Sequence, residues 1–220
     1  MPNSLTSAPV RLVLDRLFEA AEGDALRRAL LAMRHPSGFA GASARAQADA
    51  YEEMYIPVSA EGGRLLYTLI RASRPSTVVE FGTSYGISTI HLAAAVRDNG
   101  TGRVVSTELN AAKVTQARAN IAEAGLADFV TILQGDALET LADLSGPVEF
   151  VLLDGWKDLY LPVLCLLEPR LVPGSMVLAD DKVSMAAQMA DYLAYVREPG
   201  NGYLSTTFPD SDGLEITCRA

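Results

Sequence analysis

The stretch from Thr77 to Ala95, TVVEFGTSYGISTIHLAAA, constrains this chain most, because an apolar run meets an acid and two glycines and then turns amphipathic. Val78 and Val79 suit a buried strand. Ile87, Ile90, His91 and Ala94 recur at i, i+3, i+4 and i+7, the spacing of one helix face. A strand, a glycine turn and a helix place backbone N–H groups and a helix N-terminus at the carboxyl end of a strand, where open α/β sheets bind nucleotide-like ligands. The turn reads E-x-G-x-x-x-G through Glu80, Gly82 and Gly86. A dinucleotide fingerprint needs G-x-G-x-x-G, whose second glycine lets the backbone close on a pyrophosphate. Ser84 takes that position and Ile87 follows Gly86, so the turn predicts a nucleoside ligand without a diphosphate.

Taken alone, such a turn also fits any strand-to-helix connection. Glu108 adds the second constraint: it ends the next apolar run, Arg103 to Glu108, 26 residues after Gly82. An acid at the tip of the second strand is where a ribose is held by its hydroxyls. Glu80, Glu108 and the glycine turn are thus expected around one nucleoside-sized space.

From Thr77 onward, apolar runs alternate with helical patterns, which predicts a parallel sheet wrapped by crossovers. Further strands are expected at Phe129 to Leu133, Val148 to Leu153 and Ser175 to Ala179, the last after a Pro173-Gly174 turn. Asn110 can cap a helix bearing Val114, Ala117 and Ile121, closed by Gly125. Trp156 to Glu168 reads as helical despite Pro162, and Ser184 opens a helix carrying Met185, Met189, Tyr192, Leu193 and Val196. Tyr203 to Phe208 and Leu214 to Cys218 form an antiparallel hairpin at the sheet edge. Upstream, Val10 to Ala72 reads as helices broken at Gly23, at His35 to Gly38 and at Tyr55 to Pro57. Leu12, Val13, Leu17 and Phe18 keep helical spacing, and Ser59 is the expected N-cap of a helix carrying Leu65, Leu66, Leu69 and Ile70. Arg45 to Tyr55 is ambiguous, its apolar positions being mostly alanine. The expectation is one domain, residues 1–72 forming a helical cap and 73–220 a doubly wound, mostly parallel sheet.

With 220 residues, 49% of them hydrophobic and 20% charged, the chain has the balance of a soluble globular domain. It contains no apolar run of membrane-spanning length, and its first residues lack a signal-peptide pattern, which predicts a cytoplasmic protein. A formal charge of −9 without a visible basic patch argues against nucleic acid and for a small substrate. Cys165 and Cys218 stand in apolar or strand-like contexts without ligand spacing and are expected to be buried, separate thiols. His35 and His91 are the only histidines and G-x-S-x-G is absent, so a hydrolase triad has little support.

A second constellation carries the chemistry. Asp154 and the pair Asp180-Asp181 each terminate an apolar run, so three carboxylates should emerge at the same sheet edge as the glycine turn. Clustered carboxylates repel unless a cation sits among them, and oxygen-only ligands suit a hard divalent ion such as Mg²⁺. The alternative is that Asp181 faces solvent and Asp154 caps the following helix. Lys157 follows Asp154 by three residues; near a divalent cation a neutral amine is favoured and can take the proton of a substrate hydroxyl.

At these residues the sequence resembles class I S-adenosylmethionine-dependent methyltransferases, and most closely the catechol O-methyltransferase family with its bacterial members. The likeness rests on the E-x-G-x-x-x-G turn with Glu108, on Val151-Leu-Leu-Asp154-Gly-Trp156-Lys157-Asp158-Leu-Tyr160-Leu-Pro162, on Leu178-Ala-Asp180-Asp181 and on Asp212-Gly213-Leu214-Glu215. It implies a Rossmann-like seven-stranded sheet and methyl transfer from S-adenosylmethionine to a hydroxyl of a small phenolic or catechol-like acceptor. By that likeness Asp154, Asp180 and Asp181 bind Mg²⁺ or another hard divalent cation and Lys157 is the general base. Val58, Glu80, Gly82, Ser84, Gly86, Ser88, Glu108, Leu109, Asp136, Ala137, Asp154 and Trp156 would hold the cofactor, with Trp156 against the adenine and Val58 near the methionine end. Met185 and Met189 read as core residues rather than cofactor contacts, although Met185 follows the metal acids closely enough to touch substrate. Three positions depart from the mammalian pattern: Asp181 stands for asparagine, Gly155 for a histidine beside the adenine, and Thr206 for a glutamate that holds the second catechol hydroxyl. Bacterial relatives also raise the possibility of a homodimer packed through the N-terminal helices. Two other readings compete: an NAD-dependent Rossmann oxidoreductase, disfavoured by Ser84 and Ile87, and a non-catalytic cofactor-binding module, disfavoured by Asp154, Lys157 and Asp180.

Overall fold

The computed structural model describes residues 3–36, 38–39, 41–180, 183–209 and 213–220. Its organising strand, β1 (Thr77–Phe81), is buried at all five positions, as a strand covered on both faces must be. Around it stand β2 (Arg103–Glu108), β3 (Val130–Gln134), β4 (Val148–Leu153) and β5 (Leu171–Asp180), all parallel, followed by β6 (Tyr203–Phe208) and β7 (Leu214–Arg219). The order is β3-β2-β1-β4-β5-β7-β6, with β7 antiparallel to both its neighbours. The chain winds outward one way from β1 through β2 to β3 and the other way from β4 to β5, so the switch point lies between β1 and β4. In such sheets a crevice opens there, beyond the carboxyl ends of the strands.

The pleat divides the core. Val78, Phe150 and Leu152 join one apolar cluster, and Val79, Phe81, Val151 and Leu153 join the other. The first cluster takes in α1 (Ala8–Ala21), α4 (Ala60–Ser73), α5 (Ile87–Asn99) and α6 (Ala111–Glu123); the second takes in α7 (Ala137–Thr140), α8 (Tyr160–Leu167) and α9 (Ala190–Arg197). Fully burying each such aliphatic side chain contributes about 1.5–3 kcal/mol. Two further helices, α2 (Asp24–Arg34) and α3 (Ala44–Ala50), belong to the N-terminal cap, and α3 resolves the ambiguous segment. Caps fall where expected: the side chain of Ser59 accepts from Gly62 N–H at the start of α4, and that of Asn110 from Lys113 N–H at the start of α6.

Five expectations need correction. The α5 helix is not amphipathic: Ile87 to Val96 and Asn99 are all buried, because α4, α1 and the Ser4–Thr6 turn cover the face away from the sheet. Its three consecutive alanines, and Gly63, whose absent Cβ would stand 2.6 Å from His91 Nε2, allow that close approach. Strand β5 begins at Leu171, with Pro173-Gly174 inside it. The pairing with β4 slips there from Val148↔Leu171 to Phe150↔Met176, and the Ser175 hydroxyl closes the bulge by accepting from Val172 N–H and donating to the Val148 carbonyl. The segment expected as one helix from Ser184 winds first as a 3₁₀ turn, Val183–Met189, and becomes α-helical only at Ala190. On α1 the inward residues are Val10, Val13, Leu14 and Leu17, while Leu12 is exposed. Both cysteines are free but exposed, Cys165 on the outer side of α8 and Cys218 on β7.

Candidate active site

The crevice predicted by the topology is a cavity of about 320 Å³ at the carboxyl ends of β1, β2, β4 and β5. Gly82 and Gly155 set its floor. Gly82 has φ +105°, and a Cβ there would lie 2.6 Å from the Asp154 carbonyl oxygen, so the first strand tip passes the fourth with no room for a side chain. A Cβ on Gly155 would lie 2.5 Å from the Phe81 ring. The missing histidine is thus matched by a ring already filling that space.

Glu108 faces the cavity with both oxygens engaged from below: Oε2 accepts from Ser84 N–H at 2.8 Å and Oε1 from Asn110 N–H at 2.9 Å. Each oxygen keeps a lone pair for a ligand hydroxyl. Ser84 itself has φ +47°, donates its hydroxyl to the Tyr55 carbonyl at 2.8 Å and lies 3.2 Å from Lys113 Nζ. Burial pushes the Lys113 ammonium below its ordinary value, opposed by Glu108, Asp24 and Glu52. Asp136 caps α7 by accepting from Leu138 N–H at 2.9 Å. Trp156 packs edge-on to Tyr51 with centroids 5.3 Å apart, closing the adjoining wall.

At the other end, Leu153 and Ala179 are paired across β4 and β5, so Asp154 and Asp180 follow them side by side at two neighbouring strand tips. Lys157 is buried, and its Nζ donates to the Asp180 carbonyl at 2.8 Å, to Asp180 Oδ2 at 3.4 Å and to the Tyr160 hydroxyl. Asp181 lies outside the described residues, as does Asp212. Among the described residues no three His, Cys, Asp or Glu side chains form a metal cluster. The residue types still suit a hard cation, since Asp154 and Asp180, two carboxylate residues, both line this cavity.

Of the sequence-predicted residues, Val58, Gly82, Ser84, Ser88, Glu108, Leu109, Asp136, Ala137, Asp154, Trp156, Lys157 and Asp180 line this one cavity, and so does Met185. Glu80 and Gly86 do not. Glu80 is fully buried behind the glycine turn, where its Oε2 accepts from the Thr89 and Ser106 hydroxyls, both at 2.5 Å, and Oε1 has no partner among the described residues. Burial pushes the Glu80 carboxyl up, opposed by the Ser106, Ser88 and Thr89 hydroxyls. Gly86, at φ +90°, starts α5 and faces Ile121 and Ala117 on α6. Thr206 sits exposed on edge strand β6, away from the cavity. Sequence reasoning missed Arg28, Tyr51, Tyr55, Ile56 and Lys113 in the wall. Lys113 was open to detection, one turn beyond the Asn110 cap; the others reach the cavity through contacts distant in sequence.

A methyltransferase domain family matches residues 79–182. Catechol O-methyltransferase of Sus scrofa is 31% identical over 156 residues, covering 68% of this chain and 82% of that protein. The Mycobacterium tuberculosis catechol O-methyltransferase is 41% identical over 118 residues, 53% of either chain. Among solved structures, cofactor-bound Rv0187 from MTB superposes with a TM-score of 0.71 at 28% identity, covering 83% of this chain and 93% of that one. An O-methyltransferase from Bacillus cereus in complex with SAH shares the fold with a TM-score of 0.69 at 22% identity, covering 80% and 90%. With the carboxyl-edge cavity, these matches show that the chain belongs to the class I S-adenosylmethionine-dependent O-methyltransferases of the catechol O-methyltransferase type.

Proposed function

We propose that this chain, as one methyltransferase domain with residues 1–72 as its helical cap, moves the methyl group of S-adenosylmethionine to a hydroxyl of a small phenolic or catechol-like acceptor in a divalent-metal-dependent reaction. The observation that carries this reading is the sharing of one cavity by Glu108, which keeps lone pairs for a ribose, and by the Asp154, Lys157 and Asp180 group. The relatives' names support the reaction class, and family membership sets aside the oxidoreductase reading.

Asp154 and Asp180, with Asp181, would hold the cation, which when bound supplies a Lewis acid to the acceptor oxygen. The chain's own residues do the rest. Glu108 and the Gly82 turn fix the nucleoside end, Trp156 and Ala137 enclose the base, and Val58 and Ser88 border the methionine end. Lys157 is held by donation to the Asp180 carbonyl and the Tyr160 hydroxyl, and its third position, 3.4 Å from Asp180 Oδ2, is the one that in the neutral amine would accept the proton of the acceptor hydroxyl. Holding oxygen, methyl carbon and sulfur in line removes much of the entropic barrier to displacement. The net charge of −9 favours a small acceptor over a polyanion.

The test is methylation of a panel of catechols and monophenols, with and without chelator, by the parent and by Lys157→Met. Product formation should vanish in excess chelator and return with Mg²⁺. Lys157→Met should lower turnover by about 10²–10⁴-fold, the usual yield of general base catalysis, with little change in affinity for the cofactor product. Full activity in excess chelator would remove the metal from the reaction.

A further inference from the structure

Among the described residues, three other than glycine have a left-handed backbone: Ile56 at φ +46°, Arg74 at φ +51° and Ser84 at φ +47°. Arg74 terminates α4 and stands apart from the cavity. The other two line the cavity and are tied together, because the Ser84 hydroxyl donates to the carbonyl of Tyr55, the residue before Ile56. Ile56 is the costlier of the pair. A β-branched residue is a rare occupant of that region and Pro57 restricts it further. Such a conformation is strained and persists only where surrounding contacts over-determine it.

Asp24 is what determines it. It opens α2, is 8% exposed, and accepts from Tyr55 N–H at 3.1 Å through Oδ1 and from Ile56 N–H at 2.7 Å through Oδ2. Two successive N–H groups converge on one anion, as they do in a backbone nest. Arg27 fixes the carboxylate from the same helix, with Nη1 3.0 Å from Oδ1 and its guanidinium over the Tyr55 ring. We infer that Asp24, more than 30 residues from the strap it holds, is a positioning residue for cofactor binding. It fixes the Tyr55 to Val58 strap in its strained form, which aims the Tyr55 carbonyl at Ser84 and so sets the turn that presents Ser84 N–H to Glu108. The ligand in this inference rests on the methyl-transfer reading; the strain does not.

The test is a cycle of Asp24→Asn, Ile56→Gly and the double variant, read by calorimetric titration with S-adenosylhomocysteine, by thermal denaturation and by steady-state kinetics. A carboxamide offers one acceptor oxygen for two N–H groups. Asp24→Asn alone should weaken binding by about tenfold and raise KM for the methyl donor with kcat nearly kept, whereas a merely structural role would lower kcat through the active fraction. Glycine takes the left-handed conformation freely. On an Ile56→Gly background Asp24→Asn should therefore weaken binding by less than about threefold, and should be much less destabilising than in the parent. A full tenfold effect on that background, or none in the parent, would overturn the inference. Should Asp24→Asn alone not fold, the comparison of the double variant with Ile56→Gly still decides it. If the parent binds no S-adenosylhomocysteine, the functional reading fails, while the non-additive denaturation still reports on the strap.

Discussion

Gly82 and Gly155 lack side chains for different physical reasons, and the difference can be measured. A Cβ on Gly82 would meet backbone, the Asp154 carbonyl, in a left-handed conformation that L side chains rarely adopt. Neither obstacle can rotate away. A Cβ on Gly155 would meet the edge of the Phe81 ring, which can tilt. Gly82→Ala is therefore expected to combine overpacking with backbone strain, about 2–6 kcal/mol together, whereas Gly155→Ala should cost about 1–3 kcal/mol. Urea denaturation of the two variants tests this, and equal losses would mean that the strand tips yield as readily as the ring. Gly82 was legible from the turn pattern alone, because a tight strand-to-helix turn names its glycines. The constraint on Gly155 was not, since nothing in sequence says that Phe81 occupies the space.

At the scale of elements, the strand–turn–helix unit was legible because its periodicity changes at the glycines, and four of the five parallel strands begin within one residue of expectation. The amphipathic reading of α5 failed because a short alanine-rich pattern cannot show that a second layer of helices covers its far side. Strand β5 was shortened at its start because Pro173-Gly174 is a turn signal, and only the register with β4 reveals a bulge. The α6 helix does two jobs at one residue. Asn110 caps it through Lys113 N–H, while its own N–H holds Glu108 Oε1 and its amide donates to Asp49 and Glu52 of the cap. Asn110→Ala keeps the backbone N–H and removes the side-chain bonds. The expected loss is about 0.5–2 kcal/mol in urea denaturation. A loss below that range would mean that Ala111 to Glu123 needs no cap once packed on the sheet.

Across the whole molecule, the N-terminal region is attached by two kinds of force. The α1 helix contributes Val10, Val13, Leu14 and Leu17 to the main apolar cluster, and the Ser4 hydroxyl and N–H both bind Asp98 on α5. By contrast, α2 leaves Leu26, Leu30 and Met33 exposed. The stretch from α2 to Tyr55 reaches the site through polar and aromatic contacts: Asp24 to the strap, Glu52 to Tyr85 and Asn110, and Tyr51 to Trp156. Elements with few buried apolar contacts open at low free energy, while those in the main core open only with the whole fold. Native-state hydrogen exchange should therefore show α2 and α3 opening well below the global free energy, and α1 and α5 close to it. A ligand held between this stretch and the sheet edge stabilises the closed form by RT ln(1 + [L]/Kd), about 2.7 kcal/mol at a hundredfold excess over Kd. Saturating S-adenosylhomocysteine should then slow exchange in α2, α3 and the 55–58 strap more than in the β6–β7 hairpin, which lies at the far edge of the sheet. Equal opening free energies for α1 and α2, or the same protection in the hairpin as in the strap, would show that the N-terminal region moves as one body and that the cavity wall does not depend on it.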